Sequence, residues 1–202
     1  KKLRVMNTAM IKDLLYQTLQ RYGTVREESV QQLMALAQPI SFAKGDILLP
    51  VGKVAHKLYI VAEGLLISQH YTSGGQLHIK NFFSAYHFAG SKVSLLQGSP
   101  SAFSIEAATA GTAISIDYKA YKQAVYASDN LKDLYIAYLE QSWIVENEAR
   151  QIAFATSTGM ERYTQLLEAH PELEAQVPLH MIASYLGFTP TQLSRLRKEL
   201  NS

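Results

Sequence analysis

Residues 42–71 read FAKGDILLPVGKVAHKLYIVAEGLLISQHY. Strand-like runs stop at Gly45, Gly52 and Gly64, residues that let a chain turn sharply. The same texture holds from Ile40 to about Asp117. Short runs rich in Val, Ile, Tyr and Phe alternate there with Gly74-Gly75, Gly90, Gly98 and Gly111. Ser73-Gly74-Gly75-Gln76 reads as a hairpin tip. Many short strands with few helices among them predict a closed β-roll or barrel.

Helical periodicity flanks this block on both sides. Over 8–22, Ile11, Leu14, Leu15, Thr18, Leu19 and Tyr22 recur at helical spacing, with Gly23 as a C-cap. A second helix is expected from the capping-box pattern Thr24-Val-Arg-Glu27; it buries Val30, Leu33, Met34 and Ala37 and stops at Pro39. Beyond Asp117 the pattern predicts a short helix over 118–127, a long one over about 129–155, and another from about Gly159 to His170. Along the long helix Leu131, Tyr135, Tyr138, Ser142, Val145, Ala149 and Ile152 alternate in steps of four and three, as a coiled-coil seam does. Such a stripe either packs on its own β-domain or forms a parallel dimer interface, with Leu134, Leu139 and Trp143 turned to the domain. The expected organisation is a first, β-rich domain at 1–128, a connector helix at 129–157, and a second, helical domain at 158–202.

The chain closes on VPLHMIASYLGFTPTQLSRLRKELNS, residues 177–202. Pro178 opens a helix with Ile182 and Leu186 on its apolar face and the small Ala183 where a second helix must pass close. Gly187 suits the left-handed conformation that ends a helix, Thr189 is a good N-cap, and Pro190 fits the first helical position. The next helix buries Leu193, Leu196 and Leu200. Two short helices joined by a three-residue turn with Gly form the helix-turn-helix unit, against the plainer reading of an ordinary αα-hairpin. Its outer face offers Thr191, Gln192, Ser194, Arg195 and Lys198. Together with Thr189 these are the candidate DNA-binding residues, able to read base edges or hold phosphates in a major groove.

Composition narrows the classes. The 202 residues are 48% hydrophobic and 18% charged, as in an ordinary globular protein, and no apolar run reaches the ~18 residues of a membrane span. There is no cysteine, which removes disulfides, thiolate zinc and iron–sulfur ligation and fits a cytoplasmic location. A net charge of +2 is too small to attract nucleic acid by itself. DNA affinity must come from a local surface, doubled by dimerisation.

The order of β-roll, long helix and terminal helix-turn-helix resembles the cyclic-AMP receptor protein/FNR (Crp/Fnr) family of bacterial transcription regulators. Lys44-Gly45-Asp46, Gly52, Leu58-Tyr59-Ile60-Val61 and Gly64 match the family's opening run, and SPSAFSIEAATAGTAISIDYKAYKQAV resembles the stretch after its ligand pocket. The resemblance implies an α+β chain: a cyclic-nucleotide-binding-like β-roll (jelly roll), a dimerisation helix and a DNA reader. It also implies double-stranded DNA and a second copy of the chain as partners, with RNA polymerase if the protein activates. Members that bind a cyclic nucleotide carry Gly-Glu and, about ten residues on, Arg-Ser. Here Gly90 is followed by Ser91, and Ser101 and Ala102 stand for Arg-Ser. Without that Arg the candidate pocket lacks its bidentate phosphate clamp, so cyclic AMP is not the expected effector. The expectation is no cofactor, and a roll that either senses an unidentified small-molecule effector or has lost sensing. In the reader, the family's first base-contacting position falls on Pro190 and the second on Thr191; only Arg195 matches. Residues 168–177 leave little room for the family's β-hairpin wing.

Three other readings start from the same residues. A β-roll also serves cupin enzymes, whose metal needs two or three His and a carboxylate from neighbouring strands. His70 and His78 could face one another across the hairpin, but His56, His87, His170 and His180 are scattered. IASYLGFTPTQLSRLRKE also resembles the first helix-turn-helix of AraC-type regulators, which need a second unit. Finally, the terminal helices of a ligand-binding module could dock a partner protein.

Overall fold

A computed structural model describes residues 6–200. Helices α1 (Thr8–Leu19) and α2 (Glu27–Met34) precede eight strands. These are β1 (Gln38–Phe42), β2 (Ile47–Leu49), β3 (Lys57–Glu63), β4 (Leu66–Tyr71), β5 (Leu77–Phe83), β6 (Phe88–Ala89), β7 (Ser104–Ala107) and β8 (Gly111–Asp117). They pair antiparallel into two four-stranded sheets, ordered β1-β8-β3-β6 and β2-β7-β4-β5, with helix α3 (Lys92–Gln97) between β6 and β7. The β-roll expected from the glycine-broken runs is present. Its core is built from residues such as Leu58, Ile60, Leu66, Ile105, Ile114 and Ile116, all nearly inaccessible. Where β3 meets β8 the backbones touch: a Cβ on Gly111 would sit 2.0 Å from the Glu63 carbonyl oxygen. Only glycine fits there.

Helices α4 (Tyr118–Ala127) and α5 (Asp129–Leu139) pack back on the roll, and α5 runs through a π-helical turn, Glu140–Val145, into α6 (Glu146–Thr156). Then follow α7 (Gly159–Ala169), α8 (Leu173–Gln176), α9 (Leu179–Leu186) and α10 (Pro190–Leu200). No helix among the described residues is long and apolar enough to cross a membrane.

Several expectations need correction. The capping box at Thr24 does not form. The N-cap of α2 is Arg26, without a side-chain cap bond, and Asn130 of α5 serves instead: its Oδ1 accepts from the Arg26 N–H at 3.0 Å and the Ser29 hydroxyl at 2.8 Å. A residue distant in sequence thus satisfies the helix end. Likewise α1 ends on Gln20 rather than Gly23. Leu200 is exposed rather than buried.

The long helix is interrupted. A π turn holds an extra residue, so it rotates the stripe that follows about the axis. Leu131 and Tyr138, expected in a dimer seam, are buried in the protein's own core with Leu134, and Tyr135 packs against that core. Ser142 lies half-buried beside the turn, whereas Val145, Ala149 and Ile152 emerge into solvent. The first half of the seam therefore packs on the protein's own core, and the second half is exposed.

The C-terminal helices share a core with the roll. Leu65, Ile67, Ile79, Phe82 and Ala108 cluster with Tyr163, Leu166, Leu173, Ile182, Leu186 and Leu193. β5 is a sheet edge, and its exposed backbone is closed by α9: the Ser184 hydroxyl donates to the Leu77 carbonyl at 2.7 Å and accepts from the Ile79 N–H at 3.0 Å. Covering an edge in this way prevents stray strand pairing.

Candidate functional site

Two places carry chemistry: the outer face of α10 and the space between the roll and the connector.

Helix α9 ends where the sequence predicts, at Gly187 with φ 73°, and the Phe188 N–H reaches back to the Ala183 carbonyl at 2.8 Å. Ile182, Ala183 and Leu193 are fully buried and Leu186 nearly so, which sets α10 across α9 with a fixed face inward. The inward apolar positions leave Thr191, Gln192, Arg195 and Lys198 exposed and Ser194 half-buried. Two of the candidate DNA-binding residues have a structural task. The Thr189 Oγ1 accepts from the Gln192 N–H at 3.2 Å, and the Gln192 Oε1 accepts from the Thr189 N–H at 2.8 Å. This reciprocal cap occupies both side chains. Arg197, one turn from the outer face, pairs with Glu174 of α8 at 3.3 Å, and Glu174 also accepts from the buried Tyr163 hydroxyl. Burial, together with the Glu174 carboxylate, pushes that phenol up to about 12. The arrangement ties α7, α8 and α10 into one unit, and α8 occupies part of the stretch where a β-hairpin wing would stand.

The connector joins this unit through aromatic contacts. Arg162 lies over the rings of Phe154 and Phe188, at 5.2 and 4.9 Å, and donates to the Ser157 carbonyl at 3.0 Å. Gly159 leaves room for this packing, since a Cβ there would meet Phe188 at 3.1 Å.

In the roll, the positions matched to a phosphate clamp close on themselves. Ser91 and Ser101 are both buried, and their hydroxyls lie 2.8 Å apart; the Ser101 hydroxyl also lies 2.7 Å from the Phe103 carbonyl. Gly90 is buried against Leu95 and Leu58, and Ala102 is exposed. Two neutral hydroxyls that satisfy each other and a backbone carbonyl supply no charge for an anion.

Charge gathers instead beside the connector, a constellation not foreseen from sequence. Lys80 of β5, Lys92 of α3, Arg150 of α6, His87 and His170 line one cavity with Glu146. Burial holds the Lys92 ammonium down to about 7, with Lys80 adding repulsion and Glu146 opposing it. Burial likewise lowers His87 and His170. No linear motif could have revealed these residues, because they come from separate elements.

His70 and His78 do pair across β4 and β5, with ring centroids 5.0 Å apart. Among the described residues no group of three or more His, Asp or Glu is placed to hold a metal ion.

Comparison with known proteins places these features. Residues 39–127 match the cyclic nucleotide-binding domain family. No curated protein sequence matches the chain. Among solved structures, FixK2 from Bradyrhizobium japonicum aligns with a TM-score of 0.68 at 20% identity, covering 82% of this chain and 84% of that one. A putative cAMP-binding regulatory protein from Silicibacter pomeroyi gives 0.67 at 21% identity, over 96% and 87%. The c-di-GMP-responsive regulator CLP of Xanthomonas campestris gives 0.66 at 15% identity, over 87% and 92%. These likenesses are of fold, and it is the Crp/Fnr fold that the sequence resembles.

Proposed function

We infer that this chain, a cyclic nucleotide-binding-type domain carried in a Crp/Fnr-like fold, is a sequence-specific DNA-binding transcription regulator that acts as a homodimer. The observation that carries the reading is the division of α10. Leu193 is fully buried against α9 and the roll, while Thr191, Arg195 and Lys198 face solvent along one edge. A helix held by its apolar face with a polar, basic edge outward can enter a major groove. In this role Arg195 reads a base edge, Lys198 holds phosphate, and Thr191 and Ser194 donate or accept at the groove wall. Thr189 and Gln192 fix the N-terminus of the helix through their reciprocal cap.

Dimerisation is supported by the apolar surface of the connector. Ile144, Val145 and Ile152 are 60%, 63% and 54% exposed. Beside Ile144 a groove is lined by Val93, Leu96, Leu139 and Trp143. Apolar area on this scale on a helix is what a partner helix covers. In the dimer two copies of α10 would lie about 34 Å apart and read a near-palindromic site. The closed Ser91–Ser101 pair favours an effector other than cyclic AMP. RNA polymerase becomes a partner if the regulator activates, and a cytoplasmic location follows from this role.

Selection of bound DNA from a random duplex library, at low and moderate salt, tests the reading. The expected result is enrichment of a near-palindromic motif with affinity falling steeply as salt rises. Salt-sensitive binding without any enriched motif would overturn it.

A further inference from the structure

His87 stands in the turn before β6 and His170 caps the end of α7, so the two belong to different parts of the fold. Their rings lie 6.3 Å apart, both half-buried, where the roll meets the C-terminal helices. Phe82 of β5 backs the pair, its ring 6.4 Å from His170 and 5.1 Å from Tyr185 of α9. The His87 Nδ1 lies 3.1 Å from the Ala85 carbonyl oxygen, which can only accept. Nδ1 therefore carries the proton of the neutral ring, and Nε2 is the atom that titrates.

The charges packed around the pair are unbalanced. Arg21 enters from α1, Lys80 from β5, Lys92 from α3 and Arg150 from α6, against the single carboxylate of Glu146. Arg21 is held in place by the Tyr86 carbonyl at 3.1 Å and Arg150 by the Asn81 Oδ1 at 3.3 Å. Among the described residues none of the four cations forms a salt bridge. The phenols of Tyr22, Tyr138 and Tyr185 also face the space, whereas Glu168 and Glu172, the acids nearest His170 in the chain, are exposed. Burial, then Arg21, holds His87 below the ordinary histidine value, against the Ala85 and Ser84 backbone and Glu146. Burial, then His87 and Arg150, does the same for His170. A proton on either ring adds positive charge to a partly dry site that already has too much of it.

We propose that His87 and His170 form a proton-operated latch between the roll and the C-terminal helices, closed while both rings are neutral and opened when acid charges them. Once the helices part from the roll, each ring returns to water and binds its proton more tightly. Docking is therefore fully favoured above the ordinary histidine value of 6.5 and is lost as pH falls through it toward the depressed values. The proton shifts the population because it has different affinities for the docked and parted states. Undocking itself is a property of the fold; that it moves a DNA-reading helix rests on the role proposed above.

The Ile79 N–H donates to the Ser184 hydroxyl of α9 at 3.0 Å, so its exchange with solvent reports whether the C-terminal helices are docked. Ile114, in β8 between β1 and β3, reports on the roll itself. Amide exchange of the full chain, corrected for the intrinsic pH dependence, is followed from about pH 8 to about pH 5.5, across the histidine range. Protection at Ile79 is expected to fall about tenfold or more while that at Ile114 holds. His87→Gln and His170→Gln, checked for intact fold by circular dichroism, should each shrink the fall, and the double variant should fall less than about threefold. Constant protection at Ile79, a parallel fall at Ile114, or an undiminished fall in the double variant would overturn the proposal. A chain that selects a DNA motif yet keeps Ile79 protected in acid refutes the latch alone. A chain that loses that protection yet selects no motif refutes the regulator reading alone.

Discussion

At the residue scale the side chains divide by what surrounds them. Arg195 stands at the outer edge of α10, where a guanidinium can form two parallel bonds to a guanine. Arg195→Ala should weaken specific DNA binding by about 1–3 kcal/mol and relax preference at one base position. Lys198→Ala should instead lower affinity for all sequences alike and reduce the salt slope by about 1. Quantitative binding to single-base variants of the selected motif separates the two; unchanged preference in the Arg195 variant removes it from a reading role.

Lys92 gives a pH signature. Burial lowers its ammonium from 10.5 to about 7 in the folded chain. Between those values the unfolded chain binds a proton that the folded one lacks, so this group makes stability rise with pH across that window. Below pH 7 both states are protonated and the cost of the buried charge is fully present. Lys92→Met should flatten the rise in denaturation midpoint from pH 7 toward pH 10, relative to the parent chain. An identical slope in the two proteins would show that the ammonium is solvated.

At the scale of elements, the junction of α9 with β5 carries most weight. Ser184 satisfies both a carbonyl and an N–H of the edge strand. Ser184→Ala leaves both without that partner and should cost about 1–3 kcal/mol in chemical denaturation, with faster amide exchange at Ile79. An unchanged midpoint would mean that water replaces both bonds. The turn between α9 and α10 has its own requirement: Gly187 holds φ 73°, and an alanine there should cost about 1–2 kcal/mol. These elements also show where reading by pattern succeeds. Helices α4, α7, α9 and α10 lie close to the expected spans because their start and stop signals are local: Asp117 caps α4, Gly187 ends α9, Thr189 caps α10. The cap of α2 failed as a pattern because its partner, Asn130, lies far along the chain.

For the whole molecule, the exposed apolar band on the connector should set the assembly state. Val145→Glu combined with Ile152→Glu places charge in that band without touching the roll's core. Sedimentation should show dimers of the parent and monomers of the variant. DNA affinity should fall to that of a single half-site. A dimeric variant would move the interface to another face. The same connector also borders the cavity lined by Lys80, Lys92 and Arg150.

The sequence by itself determined the β-roll, the order of its parts and the two-helix terminus, because turns, caps and apolar periodicity act over a few residues. The family resemblance added the expectation of a missing phosphate clamp, since Ser91 and Ser101 stand where members that bind a cyclic nucleotide carry Glu and Arg. Only the tertiary structure decided which half of the connector stripe is buried, because that depends on a π turn and on the surface each face meets. It alone joined Lys80, Lys92 and Arg150, which are remote in the chain and adjacent only after the sheets close. Contacts of that kind come from the packing of whole elements, and no local pattern encodes them.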